Sequence, residues 1–294
     1  MTRRRATLSG FSAVLLWAML ALFTIGSAPV PPFLLNTLCF GIGGALGLIW
    51  LWATSGFAAL RGVGWKVYVF GTAALFGYHA LYFTALRLAP PAEASLIAYL
   101  WPLFIVLFSG LLPGERLRVG HLIGAALAFV GAALIVLRGG AAFDAAALPG
   151  LGLAFLCAIT WAVYSVASRA FGAVPTAAVV VYCLATAALS GAAHLVFEQT
   201  LWPIGAPGWA AVIALGLGPV GLAFFTWDIG MKKGDIQLLG VAAYAAPLLS
   251  TLALIAGGKA AATPALLLAA VLITGGAVLA ARASLGAIRP ATDG

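Results

Sequence analysis

Ten stretches of about 20 apolar residues follow one another along this chain, divided by short clusters of charge, proline or glycine. About 20 such residues are what an α-helix needs to cross the hydrocarbon core of a bilayer. The runs fall at roughly 7–27, 32–54, 65–88, 91–112, 119–138, 147–170, 175–197, 207–231, 236–257 and 263–283. Connections such as Ala28-Pro-Val-Pro-Pro32 are only a few residues long, and no stretch is left over for a soluble domain. Of the 294 residues, 64% are hydrophobic and 7% charged, whereas soluble domains carry about 25% charged residues. No soluble fold can hide this much apolar surface, so the bilayer is the solvent. The expected class is an all-α integral membrane protein with ten transmembrane helices.

Arg3-Arg4-Arg5 ahead of the apolar run from Leu8 to Ile25 has the outline of a signal peptide. The run is long and no small-x-small cleavage site follows it, which predicts an uncleaved first helix. The formal net charge of +8 raises nucleic acid as a partner, but its distribution argues for topology. Alternate loops collect Arg3, Arg4, Arg5, Arg61, Lys66, Arg116, Arg118, Arg169, Lys232, Lys233, Arg282 and Arg289, which is 12 of the 15 basic residues. The other side holds Arg87, Arg138 and Lys259. The positive-inside rule then places both termini in the cytoplasm, and no nucleic-acid surface is left to explain.

The two halves of the chain match at a near-constant offset. At 145 residues, Ala98, Tyr99, Pro102, Leu103 and Leu107 recur as Ala243, Tyr244, Pro247, Leu248 and Leu252. Tyr82 aligns with Trp227, and Ala125, Leu127, Gly131, Ala132 and Leu134 recur as Ala270, Leu272, Gly276, Ala277 and Leu279. Trp17-Ala18 recurs as Trp161-Ala162 at an offset of 144. This predicts two five-helix repeats, residues 1–140 and 141–294. Because five is odd, the second repeat enters the membrane from the opposite side, giving inverted topology.

Each half carries a Tyr-x-x-Pro inside an apolar run, at Tyr99–Pro102 and Tyr244–Pro247. A proline in a helix interior costs about 3 kcal/mol, through a lost hydrogen bond and a clash with the preceding turn. Paired, bent helices at matching places in two halves are the pattern of a secondary transporter, with Pro102 and Pro247 as candidate hinges.

Among the seven acidic residues, Asp228 alone lies inside an apolar run. Lys232, four residues on, shares its helix face, so the two form either a structural ion pair at the membrane boundary or part of a gate. Aromatic residues offer more. Tyr78 and Tyr82 are one turn apart with His79 beside them. Cys157, Trp161, Tyr164, Ser165 and Ser168 share one helix face at three- and four-residue spacing. Trp17 is the repeat partner of Trp161, and Tyr99 shares a face with Ser95 and Pro102. Trp and Tyr are normally enriched at the membrane interfaces, whereas several of these fall near the midplane, where a phenol or indole needs a hydrogen-bond partner from protein or a wet cavity. They line a cavity or pack helices together. His79 is a buried neutral residue or a ligand contact. On an ideal helix Trp101 points away from Tyr99. Such a wall suits an amphipathic, net-neutral solute. Gly43-x-x-x-Gly47 and Gly120-x-x-x-Gly124 form small faces that let helices approach closely.

No metalloprotease, Cys-x-x-Cys, phosphate-loop or Gly-x-Ser-x-Gly pattern is present. Cys39, Cys157 and Cys183 sit at unrelated spacings within apolar runs and read as small buried residues. The expectation is a protein with no catalytic residue, metal or cofactor.

Ten spans, an early tryptophan in each half, a Pro-bent fourth span in each half and the segment Leu111-Leu-Pro-Gly-Glu-Arg116 resemble the drug/metabolite transporter superfamily, in its EamA-type branch. The stretch Trp227-Asp-Ile-Gly-Met-Lys-Lys-Gly-Asp235 is similar, more particularly, to the YddG-type aromatic amino-acid exporters. The resemblance covers about residues 8–285. It implies a bacterial inner-membrane exporter that moves aromatic and other neutral amino acids by alternating access. It further implies a central cavity lined by Trp17, Tyr78, His79, Tyr82, Tyr99, Trp101, Trp161 and Tyr244. Ala223 stands at the position of Tyr78 and Ala246 at that of Trp101, so the aromatic load is expected to be heavier in the first half. Multidrug or other small-metabolite efflux, leaning on Asp228, is the alternative. A membrane enzyme or a passive channel is a more distant one.

Overall fold

The computed structural model describes residues 1–54, 56–137, 145–256, 258 and 261–286. Arg138, Asp144, Lys259, Arg289 and Asp293 lie outside the described residues. Within the described residues, ten helical spans are long and apolar enough to cross a membrane. In chain order they are Arg3–Gly26, Pro32–Ala53, Trp65–Leu88, Pro91–Ser109, Val119–Val136, Ala145–Ala170, Ala178–Phe197, Gly205–Lys233, Ile236–Ala256 and Pro264–Leu285, numbered here as spans 1 to 10. They coincide with the ten apolar runs of the sequence. Large apolar side chains such as Leu111, Leu195, Leu267 and Val271 stand outward, as lipid-facing residues do when the solvent is hydrocarbon.

Four spans are interrupted. Span 1 breaks at Met19, between Arg3–Ala18 and Leu20–Gly26. Span 4 breaks between Pro91–Ala98 and Trp101–Ser109, and span 9 between Ile236–Ala242 and Ala245–Ala256. Span 8 contains a π-helical turn, Gly218–Leu222, built around Pro219. The position of the two expected hinge prolines is a correction. Pro102 and Pro247 do not interrupt a continuous helix; each lies in the first turn of a new one. The first N–H groups of a helix have no intrahelical partner, so the missing proline donor costs little there. The chain turns at Tyr99–Leu100 and at Ala243–Tyr244, and the penalty of a mid-helix proline is avoided.

The closest helix pairs join one half of the chain to the other. Span 5 packs on span 10, span 2 on span 7, span 3 on span 6 and span 1 on span 8. Span 4 packs on span 6, and span 9 on span 1. Small residues permit this. A Cβ on Gly124 would lie 2.5 Å from the Gly276 carbonyl oxygen, and one on Gly43 would lie 2.8 Å from the Gly221 Cα. Both small-residue faces seen in the sequence are therefore sites of backbone approach. Along span 2, Gly44 meets Leu184 and Gly47 meets Val180. Along span 5, Gly120 meets Ala283 and Gly131 meets Ile273. In each pair one chain ascends as the other descends, so these helices cross antiparallel.

The two ends of the bundle are tied by charge. At the end that carries the start of span 1 and the close of span 10, the Arg169 guanidinium pairs with Glu115 and donates to the carbonyls of Met231 (3.1 Å) and Gly234 (2.9 Å). Arg3 reaches Asp235 at 3.4 Å. At the opposite end, Glu198 accepts from the backbone N–H groups of Phe33 (2.9 Å) and Leu34 (3.1 Å), which open span 2, and pairs with His194 and Arg87. A carboxylate at a helix N-terminus satisfies orphan donors and complements the helix dipole.

Candidate functional site

Spans 1, 3, 4, 6 and 8 bring an aromatic cluster to the junction of the two halves. Trp17 is its hub. Its ring centroid lies 6.0 Å from those of Trp101 and Trp161 and 5.0 Å from that of Trp227. Trp101 in turn meets Trp161 at 6.3 Å and Trp227 at 5.8 Å, both nearly perpendicular. Edge-to-face contact sets the positive rim of one ring on the negative face of the next, at about 0.5–1.5 kcal/mol per pair beyond simple burial. Tyr78 joins through Trp161 at 5.4 Å, and stacks on Tyr82 at 6.3 Å with an interplanar angle of 14°.

The polar atoms of the cluster find local partners. Trp17 Nε1–H donates to the Pro219 carbonyl at 3.0 Å, within the π-helical turn of span 8. Trp227 Nε1–H donates to Ser165 Oγ at 3.1 Å. The hydroxyls of Tyr82 and Ser95 are 2.9 Å apart. His79 Nδ1 lies 2.7 Å from the Leu75 carbonyl. A carbonyl only accepts, so Nδ1 carries the proton, and the uncharged form of the ring offers Nε2 as an acceptor. The His79 ring stands edge-on to Phe40 at 5.0 Å.

Trp17, Tyr78, His79, Tyr82, Trp101 and Trp161 are thus joined through direct ring contacts. Tyr99 caps the first half of span 4, donating its N–H to the Ser95 carbonyl at 2.9 Å, one turn beyond the serine that meets Tyr82. Trp101 is no outlier. The helix restarts between the two residues, so an ideal-helix phase carried from Tyr99 does not apply to it. Tyr244 is set apart. It is 0% exposed in a second core with Val106, Leu248 and Ile273, and its ring faces Phe129 at 6.0 Å. Its hydroxyl accepts the Leu103 N–H at 3.1 Å, satisfying an orphan donor in the first turn of Trp101–Ser109. Cys157, Trp161, Tyr164, Ser165 and Ser168 are all buried on span 6, as the stripe requires.

Trp227, Phe224 and Phe40 join the cluster without having been among the expected cavity residues. Phe224 meets Trp161 at 5.6 Å and Phe40 at 5.3 Å. The repeat offset carries a signal for Trp227, because it stands where Tyr82 stands in the first half. For Phe224 the sequence holds none, since one phenylalanine among 17 has no distinguishing neighbour.

Asp228 and Lys232 do form an ion pair, with Nζ 2.8 Å from the carboxylate and side chains 1% and 4% exposed. Thr176 Oγ1 donates to the same carboxylate at 2.7 Å. The pair borders a narrow crevice lined also by Phe70, Tyr164, Ser168 and Tyr182.

A helical bundle whose halves meet across an uncharged aromatic junction, with one buried ion pair beside it and most other charge at its two ends, is the build of a small-molecule membrane transporter. The profile of the EamA-like transporter family matches residues 4–137 and again 148–282, and the chain belongs to that family, within the drug/metabolite transporter superfamily. The chain is 55% identical over 289 residues to the aromatic amino acid exporter YddG of Ancylobacter novellus, covering 95% of this chain and 98% of that one. It is 27% identical to the protein of the same name from Escherichia coli K12, over 85% of this chain and 88% of the relative. A solved structure described only as the crystal structure of a protein superimposes with a TM-score of 0.93, at 53% identity, over 98% of this chain and 100% of the other.

Proposed function

We propose that this protein is a secondary transporter that exports aromatic and other neutral amino acids across the bacterial inner membrane by alternating access. The observation that carries the reading is the tryptophan and tyrosine cluster at the junction of the halves, in a chain 55% identical to a protein named as an aromatic amino acid exporter. Rings that hold one another edge-to-face exchange those contacts for equivalent ones with an aromatic cargo, so opening the cluster around a substrate ring costs little. Tyr82, Tyr99 and the Nε2 acceptor of His79 then give the cargo hydrogen-bonding groups without fixed charge.

The spans fall into two five-helix repeats of inverted topology, residues 1–140 and 141–294, with both termini in the cytoplasm. Three observations support this. The family profile matches twice. The six packing pairs named above map onto one another when span n is exchanged with span n+5: the pair 1–8 becomes 6–3, 4–6 becomes 9–1, and 2–7 and 5–10 each return to themselves. The counterparts 2 and 7, and 5 and 10, cross antiparallel. The basic residues Arg3, Arg169, Lys232 and Lys233 gather at the end that carries the start of span 1, which supports a cytoplasmic placement of that end. Alternating access is exchange of the two halves' conformations about this axis.

Purified protein in liposomes loaded with labelled phenylalanine, tryptophan or leucine tests the reading. The expected result is saturable efflux accelerated by unlabelled amino acid on the opposite side. Folded protein that moves none of the twenty amino acids would overturn it.

A further inference from the structure

The aromatic cluster handles rings but carries no ionised group, whereas an amino acid brings an ammonium and a carboxylate into the membrane. We infer that Asp228, Lys232 and Tyr164 form a separate head-group station, on the side of the cluster toward Arg3 and Arg169, that takes the zwitterionic end of the cargo. The inference rests on the amino-acid reading proposed above and extends it to a site of opposite chemistry.

Three features point there. First, the Asp228–Lys232 pair is buried inside the bundle yet borders a crevice, so its charges lie beside a space rather than within packed side chains. Second, the Tyr164 hydroxyl lines the same crevice, is buried, and has no partner in hydrogen-bonding geometry among the described residues, Ser168 being its polar neighbour. The Ser168 hydroxyl one turn on donates to the Tyr164 carbonyl at 2.8 Å. A buried phenol without a partner calls for an explanation, and its place in the crevice beside the ion pair points to a ligand group. Third, the Tyr164 ring contacts Trp161 at 5.2 Å, so the crevice adjoins the aromatic cluster directly.

In this conformation the crevice has about 10 Å³ of room, about the space of one water. Cargo therefore enters as the span 3, 6 and 7 walls separate. The incoming ammonium takes the place of Lys232 on the carboxylate, the incoming carboxylate takes Lys232 and the Tyr164 hydroxyl, and the ring is delivered toward Trp161. The protein's own ion pair is the stand-in for the zwitterion, and it closes again behind the cargo. No covalent step is involved.

The test is competition against labelled phenylalanine transport in proteoliposomes by three ligands that share a ring: phenylalanine, phenethylamine, which lacks the carboxylate, and 3-phenylpropionate, which lacks the amine. The wild-type protein is expected to prefer the zwitterion by at least about tenfold over either analogue, because a site built to bind both groups rejects a ligand lacking one. In the Asp228→Asn, Lys232→Gln double variant that preference is expected to fall within about threefold. Tyr164→Phe removes one hydroxyl and leaves the ion pair in place, so it keeps the test decisive where the double variant does not fold. It is expected to raise the phenylalanine KM about fivefold with the melting temperature unchanged. An undiminished preference in the double variant, or an unchanged KM in Tyr164→Phe, would overturn the station and leave amino-acid export standing. Wild-type protein that moves no amino acid would instead overturn the export reading itself, and the station with it.

Discussion

Tyr99 and Tyr244 stand at the same bend in spans 4 and 9, three residues before a proline that opens the next helix. Their surroundings differ. At the first bend the chain leads into Trp101, whose ring meets three other tryptophans, while Tyr99 remains half-buried. At the second, the residue in Trp101's place is Ala246, and Tyr244 is sealed in a separate core with its hydroxyl on the Leu103 N–H of span 4. One copy of the motif presents aromatic surface to the junction. The other props up the helix from which that surface projects. The two Tyr-x-x-Pro bends thus sit in different surroundings, one beside the aromatic junction and one in a packed core, and the motif alone does not tell which is which.

Removing the largest ring from the first bend should break this contrast most severely. Trp101→Ala deletes three ring contacts and is expected to lower phenylalanine efflux at least about tenfold and stability by about 3–5 kcal/mol. Ala246→Phe, by contrast, is expected to affect stability through overpacking while leaving substrate preference unchanged; paired melting curves and efflux assays read both. Next in size, Gly124→Ala places a Cβ 2.5 Å from the Gly276 carbonyl, and backbone cannot yield as a side chain does. A loss of about 1–3 kcal/mol is expected, measured by thermal or denaturant unfolding in detergent, and felt equally by both halves.

The hydroxyl variants sharpen the division directly. Tyr244→Phe leaves the Leu103 N–H without its acceptor and is expected to cost about 1–2 kcal/mol of stability with KM unchanged. Tyr99→Phe is expected to do the opposite, raising KM with little change in unfolding. Tyr99→Ala and Tyr82→Ala should impair transport more than folding. If Tyr244→Phe alters KM and Tyr99→Phe only stability, the roles are reversed. The smallest effect is expected from Pro102→Ala with Pro247→Ala. Both prolines lie in first turns, so stability should shift by less than about 1 kcal/mol, while the rate of exchange between the two states falls because the bends are less firmly fixed.

The ten spans were legible because lipid demands long apolar runs, and the buried stripe on span 6 was legible because a continuous helix preserves its 3.6-residue phase. Wherever the helix is interrupted, that phase is lost. The rotation expected of Trp101 relative to Tyr99 fails for this reason, since Trp101 opens the new helix after the break. The Tyr244–Leu103 bond spans 141 residues, and no local period reports a contact between halves. Trp227 fell between these cases: periodicity gave it no emphasis, but the repeat alignment paired it with a tyrosine. The Glu198 cap on span 2 was invisible because any charge near a span end reads as solvated until its partners are known.

The cross-half pairing of the spans also has a consequence for biosynthesis. At ribosomal rates of about 5–20 residues per second, the 145 residues between matching positions take on the order of ten seconds to emerge. During that interval spans 1 to 5 are in the bilayer without the helices they pack on most closely. The glycine faces of spans 2 and 5 meet lipid tails, and the Arg3–Glu115 pair lacks its second-half partners Asp235 and Arg169. The first half of the nascent chain is therefore an obligate client of its own second half, and a ribosome that stalls between spans 5 and 6 leaves an orphan that quality control can recognise by its unfilled grooves.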